Sequence, residues 1–351
     1  MTTSNDDTLV FAHVIFRHGH RTTLESFPND PYKDESKYWP EGFGQLTNEG
    51  KRQQFELGKY FRRRYGKLIS SKYSRNEVYI QSTDFDRTIM SAQVNLAGLF
   101  PPNDEEKWSN EILWQPIPVH TIPCELDHVL LAGRPCPKYE AARAKVMKES
   151  PEIQSIYSEH ANLFKSLTEN TGQDIKTVDD VFYLWMTLHF QKNRNLPLAD
   201  WAEKAVQPMS VVEKIAMKRF LLNTGTPELA RLKSGFLIKE IMERVSSKIF
   251  GTLEPNRSLW LYSAHDDTIA NFLNSLRLYE PHFPPLASSI HLELFVTKEK
   301  EYYMQIFYRQ ANEEYPKSLN LPGGSDKFTI DEFYKLYANL IPGEFEVESV
   351  L

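Results

Sequence analysis

Apolar positions along the chain follow two rhythms. Residues 9–16 (LVFAHVIF) form an almost unbroken apolar run, β-branched and aromatic, as expected of a strand buried on both faces of an α/β sheet. Residues 77–83 (EVYIQST) and 258–263 (SLWLYS) repeat that character, and residues 290–297 with 302–309 predict a hairpin turning at 298–301. Between the first strands the period lengthens. A helix is predicted from its cap at Thr47 to about residue 68, with Phe55, Tyr60, Phe61, Tyr65 and Leu68 inward and Lys59, Arg62, Arg63 and Lys67 outward. A second helix, 86–100, is stopped by Pro101-Pro102, and a third is expected over 267–278.

From about residue 116 to 251 the strand rhythm disappears. A proline-containing loop leads into helical patterns, among them one long amphipathic helix expected over 227–250. The pattern predicts an α/β fold with a central mixed, mostly parallel sheet flanked by helices. Residues 1–115 and 252–351 would form the sheet domain, and 116–251 a mainly helical inserted cap.

Composition narrows the function classes. The chain has 41 Lys and Arg against 47 Asp and Glu, a net charge of −6, so nucleic acid is not an expected partner. No window approaches the ~18–20 consecutive apolar residues of a membrane helix, so no membrane partner is expected and the chain reads as soluble. The first residues carry neither a basic nor an apolar leader segment, which fits a cytosolic chain or a mature one. Asn256-Arg257-Ser258 is a glycosylation sequon compatible with secretion. Two cysteines, Cys124 and Cys136, are either bonded across a short loop or two free thiols.

Chemistry is expected beyond the carboxyl ends of the strands, where an open α/β sheet places its crevice. Three strands lead there into polar clusters: Arg17-His18-Gly19-His20-Arg21, then Ser82-Thr83-Asp84 with Arg87, and His265-Asp266-Asp267. Singly, an Arg-His-Gly is an ordinary turn. Pooled, the clusters supply forked guanidiniums suited to phosphate oxygens, imidazoles and carboxylates. Arg17 and Arg21 lie four apart across Gly19, whose backbone freedom would let both approach one anion beside His18. His18, His20 and the 265–267 cluster could instead be read as metal ligands, but the neighbouring arginines would repel a divalent cation, and no metal is expected. Gly44 to Lys51 misses the P-loop spacing, and Arg52 replaces its Ser or Thr.

Residues 17–22 (RHGHRT) resemble the RHGxRx signature of the histidine acid phosphatases, within the histidine phosphatase superfamily. The likeness continues through FPNDP at 27–31, EGFGQLT at 41–47, STDFDRT at 82–88, WQPIPVH at 114–120, YSAHD at 262–266 and LPG at 321–323. These segments look like the prostatic and lysosomal type, and most like insect secreted, venom or salivary members. The resemblance implies His18 as the nucleophile that accepts the phosphoryl group and Asp266 as the proton donor. It places Arg17, Arg21, Arg87 and His265 around the phosphate and implies no cofactor. It also implies secretion, a phosphate monoester as substrate, and a homodimer formed near residues 114–120. Acid pH should favour activity, because Asp266 must be protonated to donate.

Some positions depart from the family pattern. His20 occupies the variable site, Thr23 stands where Pro is common, Gln81 where Arg often precedes Ser-Thr-Asp, and a cysteine pair near residues 323–327 is absent. Cys136 matches a family position whose usual partner lies near the C-terminus, which leaves Cys124 as its only available partner. A second reading keeps the fold without the chemistry: a secreted protein binding a small amphipathic ligand such as an amine or lipid mediator. For it, Phe182, Tyr183, Trp185 and Phe190 would line a pocket if they are not simply helix core; the resemblance puts Trp185 near the active-site mouth, and His20 is a further possible pocket residue.

Overall fold

The structure, a computed structural model, describes residues 7–311 and 313–350. Among them one seven-stranded sheet is built from β1 (Thr8–Arg17), β2 (Val78–Thr83), β3 (His120–Ile122), β4 (Leu259–Ala264), β5 (Ser289–Val296), β6 (Tyr302–Arg309) and β7 (Lys317–Leu319). The order across it is β3-β2-β4-β1-β5-β6-β7. β3, β2, β4 and β1 pair in parallel, while β1, β5, β6 and β7 pair antiparallel, so β1 joins the two halves.

The helices α1 (Glu35–Tyr38), α2 (Asn48–Tyr65) and α3 (Asp86–Leu99) precede β3. Between β3 and β4 come α4 (Pro137–Glu149), α5 (Pro151–Glu159), α6 (Ala161–Thr171), α7 (Val178–Asn193), α8 (Asp200–Ala205), α9 (Val211–Leu222), α10 (Pro227–Lys233) and α11 (Gly235–Ile249). α12 (Asp266–Ser275) follows β4, and α13 (Ile330–Tyr337) and α14 (Phe345–Glu348) come after β7.

Strand alternation explains the apolar runs. Phe11 and Ile15 of β1 point into one core with Ile241 of α11, Ile269 of α12 and Phe333 of α13. Ala12, Val14 and Phe16 point into the opposite core with Phe61 of α2 and Leu96 of α3. A strand covered on both faces has no polar side to show. β1, β2, β4, the hairpin of β5 and β6, and the helices after β1, β2 and β4 lie where the pattern predicts. β3 and β7 carry no such signal, since each has three residues and sits at or near an edge.

Within the expected cap interval the helices divide. Phe164, Phe182, Leu188 and Phe220 belong to a separate core, whereas Leu237, Ile241 and Val245 of α11 pack in the sheet core. The single helix expected over 227–250 is broken at Ser234. A Cβ on Gly235 would stand 2.3 Å from the Leu340 carbonyl oxygen, so the passing C-terminal segment presses on the joint. On α2, Phe55 is 40% exposed and Leu57 takes the inward place expected of it. Cys124 and Cys136 are both free thiols, against the bonded alternative. They turn to different segments: Cys124 Sγ lies 3.4 Å from the Asp84 oxygen, and Cys136 Sγ lies near the Ser349 oxygen of the C-terminal stretch.

Candidate active site

Three strand ends converge. β1 delivers His18, whose backbone N–H donates to the Ala264 oxygen at the end of β4, and β2 delivers Thr83 with Arg87 just beyond. The 18–21 loop is pressed onto the start of α2, where Thr47 caps the helix by accepting from Gly50 N. A Cβ on Gly19 would meet the Gly50 oxygen at 2.3 Å, and one on Gly50 would meet the His20 oxygen at 2.1 Å. Gly19 has no positive φ. It is required for close crossing of two backbones, and not for the unusual backbone angles expected of it.

The hydrogen bonds fix the imidazoles. His18 Nδ1 lies 2.8 Å from the Gly19 carbonyl, which can only accept, so Nδ1 carries the proton and the Nε2 lone pair is free. Burial, followed by Arg87, Arg17 and Arg21, holds His18 well below its ordinary pKa, and the ring is neutral. His265 is read the same way. Arg87 Nη2 can only donate to its Nδ1 (3.3 Å), so Nε2–H donates to Thr83 Oγ1 (2.9 Å). Burial and Arg87 bring His265 down to about 3. The two rings stand 5.6 Å apart between centroids.

Asp266 opens α12, where the helix dipole favours a carboxylate. Oδ2 accepts from Arg17 Nη2 at 2.6 Å and Oδ1 from the Asp267 N–H at 2.9 Å. Burial pushes this carboxyl up, but Arg17 and Arg21 outweigh it and bring the group to about 2. Arg17 itself sits one layer back: it also donates to the Pro284 oxygen and stacks on Phe283, 4.3 Å from the ring centroid. Arg21 lies over Phe190 at 4.2 Å and donates to the Thr22 oxygen. Each of the three guanidiniums keeps a buried Nε–H without a partner. Orphaned donors of this kind suit an anionic ligand.

These groups open on a cavity of about 320 Å³ lined by His18, Arg21, Arg87, His265 and Asp266 but not by Arg17. Its far walls are Phe182, Tyr183 and Met186 of α7, Lys233 at the end of α10, the 129–133 loop, and Thr268 and Asn271 of α12. Trp185 and His20 do not line it. On α7, residues 182, 183 and 186 share one face, whereas Trp185 stacks with His189 (4.8 Å) one face around and meets Phe283 (5.1 Å). His20 is held against the α2 cap, with Nδ1 2.9 Å from Thr47 Oγ1. Met186, Lys233 and Asn271 were not picked out from the sequence. Asn271 alone left a trace there, four residues beyond Asp267 on the same helix face.

The geometry defines an α/β protein whose parallel strands end in a cationic, imidazole-bearing cleft suited to a phosphoryl group. A family model for the histidine phosphatase superfamily (branch 2) matches residues 8–309. The lysosomal acid phosphatase of Homo sapiens is 35% identical over 346 residues, 98% of this chain and 80% of that protein. The prostatic acid phosphatase of Homo sapiens is 35% identical over 346 residues, 97% of this chain and 87% of the relative. Among solved structures, the apo form of Hafnia alvei phytase superposes with a TM-score of 0.73 at 16% identity, covering 100% of both chains. The chain belongs to the histidine phosphatase superfamily, branch 2, and its sequence is similar throughout to lysosomal and prostatic acid phosphatases.

Proposed function

We propose that the protein hydrolyses phosphate monoesters at acid pH through a phosphohistidine on His18. One observation carries this reading: Nδ1–H of His18 is tied to Gly19, which leaves the Nε2 lone pair to a cavity shared with Arg21, Arg87, His265 and Asp266. In the first step a bond forms from Nε2 to phosphorus, the bond to the leaving oxygen breaks, and Asp266 gives that oxygen its proton. In the second, water gives a proton to Asp266 and attacks phosphorus, and His18 is released. Charge on the phosphoryl oxygens is met by arginine cations, so the reading calls for no metal or cofactor.

In the free protein Asp266 is ionised at pH 5, since Arg17 and Arg21 hold it low. A bound phosphate monoester adds like charge beside Asp266 and engages the same arginines, which raises the carboxyl. A monoanionic ester, populated below its second pKa of about 6, also brings a proton with it. Both effects favour acid pH. Of the aromatics named for the binder reading, Phe182 and Tyr183 line the cavity while Trp185 and Phe190, like His20, do not, and the similarity to acid phosphatases does not favour that reading.

The test is hydrolysis of 4-nitrophenyl phosphate from about pH 4 to 8, with His18→Ala, a chelator and orthovanadate as comparisons. Acid-optimal, chelator-resistant turnover that His18→Ala abolishes is expected. Turnover that survives His18→Ala, or that peaks above neutral pH, overturns the reading.

The same reading places the protein in the secretory route. The exposed sequon at Asn256 supports this, as do the names of its lysosomal and prostatic relatives. It also includes a homodimer through residues 114–120, supported by the exposure of Trp114 (39%) and the adjoining Leu113 (70%), and a monomeric mass by light scattering would refute it. The α5–α9 core serves as the cap over the cavity.

A further inference from the structure

Lys233 is the last residue of α10 and lines the same cavity as His18. Its Nζ stands 5.3 Å from the Tyr139 ring centroid and donates to the Ala132 carbonyl at 3.3 Å. An ammonium has three donors, and among the described residues this is its one hydrogen bond. The acidic groups of the cavity are already taken, Asp266 by Arg17 and Asp267 by Arg219. Lys233 lines the cavity with Asp267, itself held by Arg219, as the opposite charge acting on it. Its surroundings, burial first, press its pKa below the ordinary lysine value. Asp267 is shared with Arg219 and offsets that only in part, so a ligand anion would complete the balance of a desolvated cation.

A second group of the cavity lining is also incomplete. Asn271 lines the cavity, is 4% exposed, and its amide oxygen is buried with no partner. An unpartnered acceptor and an under-bonded cation lining one cavity suit a ligand that carries both an anion and a hydrogen-bond donor.

We propose that Lys233 receives a second anionic group on the leaving-group side of the substrate, so that the enzyme prefers phosphate monoesters whose alcohol or phenol is itself anionic. The inference rests on the phosphatase reading and deepens it. Carboxylate and second phosphate share the needed chemistry, so substrates of one skeleton separate them: 4-carboxyphenyl phosphate, 1,4-phenylene bisphosphate, and 4-carbamoylphenyl phosphate as the uncharged shape match.

The experiment compares kcat/KM on these three for the wild type, Lys233→Met and Lys233→Arg. Lys233→Met should lose about tenfold on the anionic substrates and less than about twofold on the carboxamide, as loss of one charge-assisted bond implies. Lys233→Arg should retain the preference. The anionic substrate that loses more identifies the favoured group. Equal losses on charged and uncharged substrates, or no loss on either, overturn the proposal. The matching phosphonates, titrated by calorimetry, read the same selectivity without turnover. Absence of catalysis would then count against the phosphatase reading, while a selectivity lost with Lys233→Met would still support the subsite.

Discussion

Asp266→Asn separates the structural from the chemical work of one carboxylate. The folded protein holds this group at about 2 against an ordinary 3.8. At ~1.4 kcal/mol per unit, folding favours the ionised form by about 2 kcal/mol. Because the folded value is the lower one, this stabilisation is complete above about pH 4 and is lost as the pH falls through about 2. Asparagine keeps an acceptor for Arg17 but not the charge, so the variant should unfold about 2 kcal/mol more easily at pH 6. A ceiling of about 3 to 5 kcal/mol applies if Arg17 is left wholly unpaired. The penalty should shrink in acid. Kinetically, proton donation is worth about 10²- to 10⁴-fold, but only where the leaving oxygen needs the proton. On glycerol 2-phosphate the variant should lose that full factor in kcat/KM, whereas 4-nitrophenyl phosphate should lose about tenfold or less. Urea denaturation at several pH values and the two kinetic assays read both parts. Equal kinetic losses on the two substrates, or a stability penalty as large at pH 3 as at pH 6, would refute the reasoning.

The buried imidazoles His13, His18, His265 and His291 all lie below the ordinary 6.5, with burial the first cause in each. Their folded values are depressed, so stability should fall as the pH drops below about 6.5, by up to ~1.4 kcal/mol per unit for each group, seen as a declining urea midpoint between pH 7 and 4. His13 has no partner for either ring nitrogen, so His13→Leu should raise that midpoint, and more at pH 5 than at pH 7. Gly58→Ala would put a Cβ 1.9 Å from the Asn95 oxygen where α2 crosses α3 and should cost about 3 kcal/mol or more, whereas Gly251→Ala, open but at φ +69, should cost only about 1–2 kcal/mol by thermal unfolding. Of the two thiols, Cys124 should react with a thiol reagent in the native state, and Cys136, 8% exposed, only on unfolding.

Much of the candidate site was legible because its residues follow strands whose apolar runs cannot be mistaken. His18, Arg87, His265 and Asp266 come to one place since β1, β2 and β4 are parallel neighbours. The cavity wall was less legible. It comes from one face of α7 and from the end of α10, and a helix with ten buried residues gives no sequence sign of which face is the lining. Trp185 stood out through the family resemblance, yet Phe182, Tyr183 and Met186 are the α7 residues that reach the cavity, the first two of them among the aromatics named from the sequence. Gly19 was singled out for the wrong property, because the backbone that crosses it at Gly50 belongs to a helix much further along the chain. The break at Ser234 depends on a segment about a hundred residues later, which no local pattern contains.

The placement of β1 between β4 and β5 has a consequence for how the protein is made. The strand that leads to His18 is made well before both of its neighbours in the sheet, β4 and β5. Arg17 must wait through 249 further residues for Asp266, roughly 12 to 50 s at ribosomal speed. Until then the apolar edge of β1 has nothing to pair with and needs shelter from other chains. An unfinished polypeptide therefore holds no working site, and hydrolysis begins only once synthesis has passed β4.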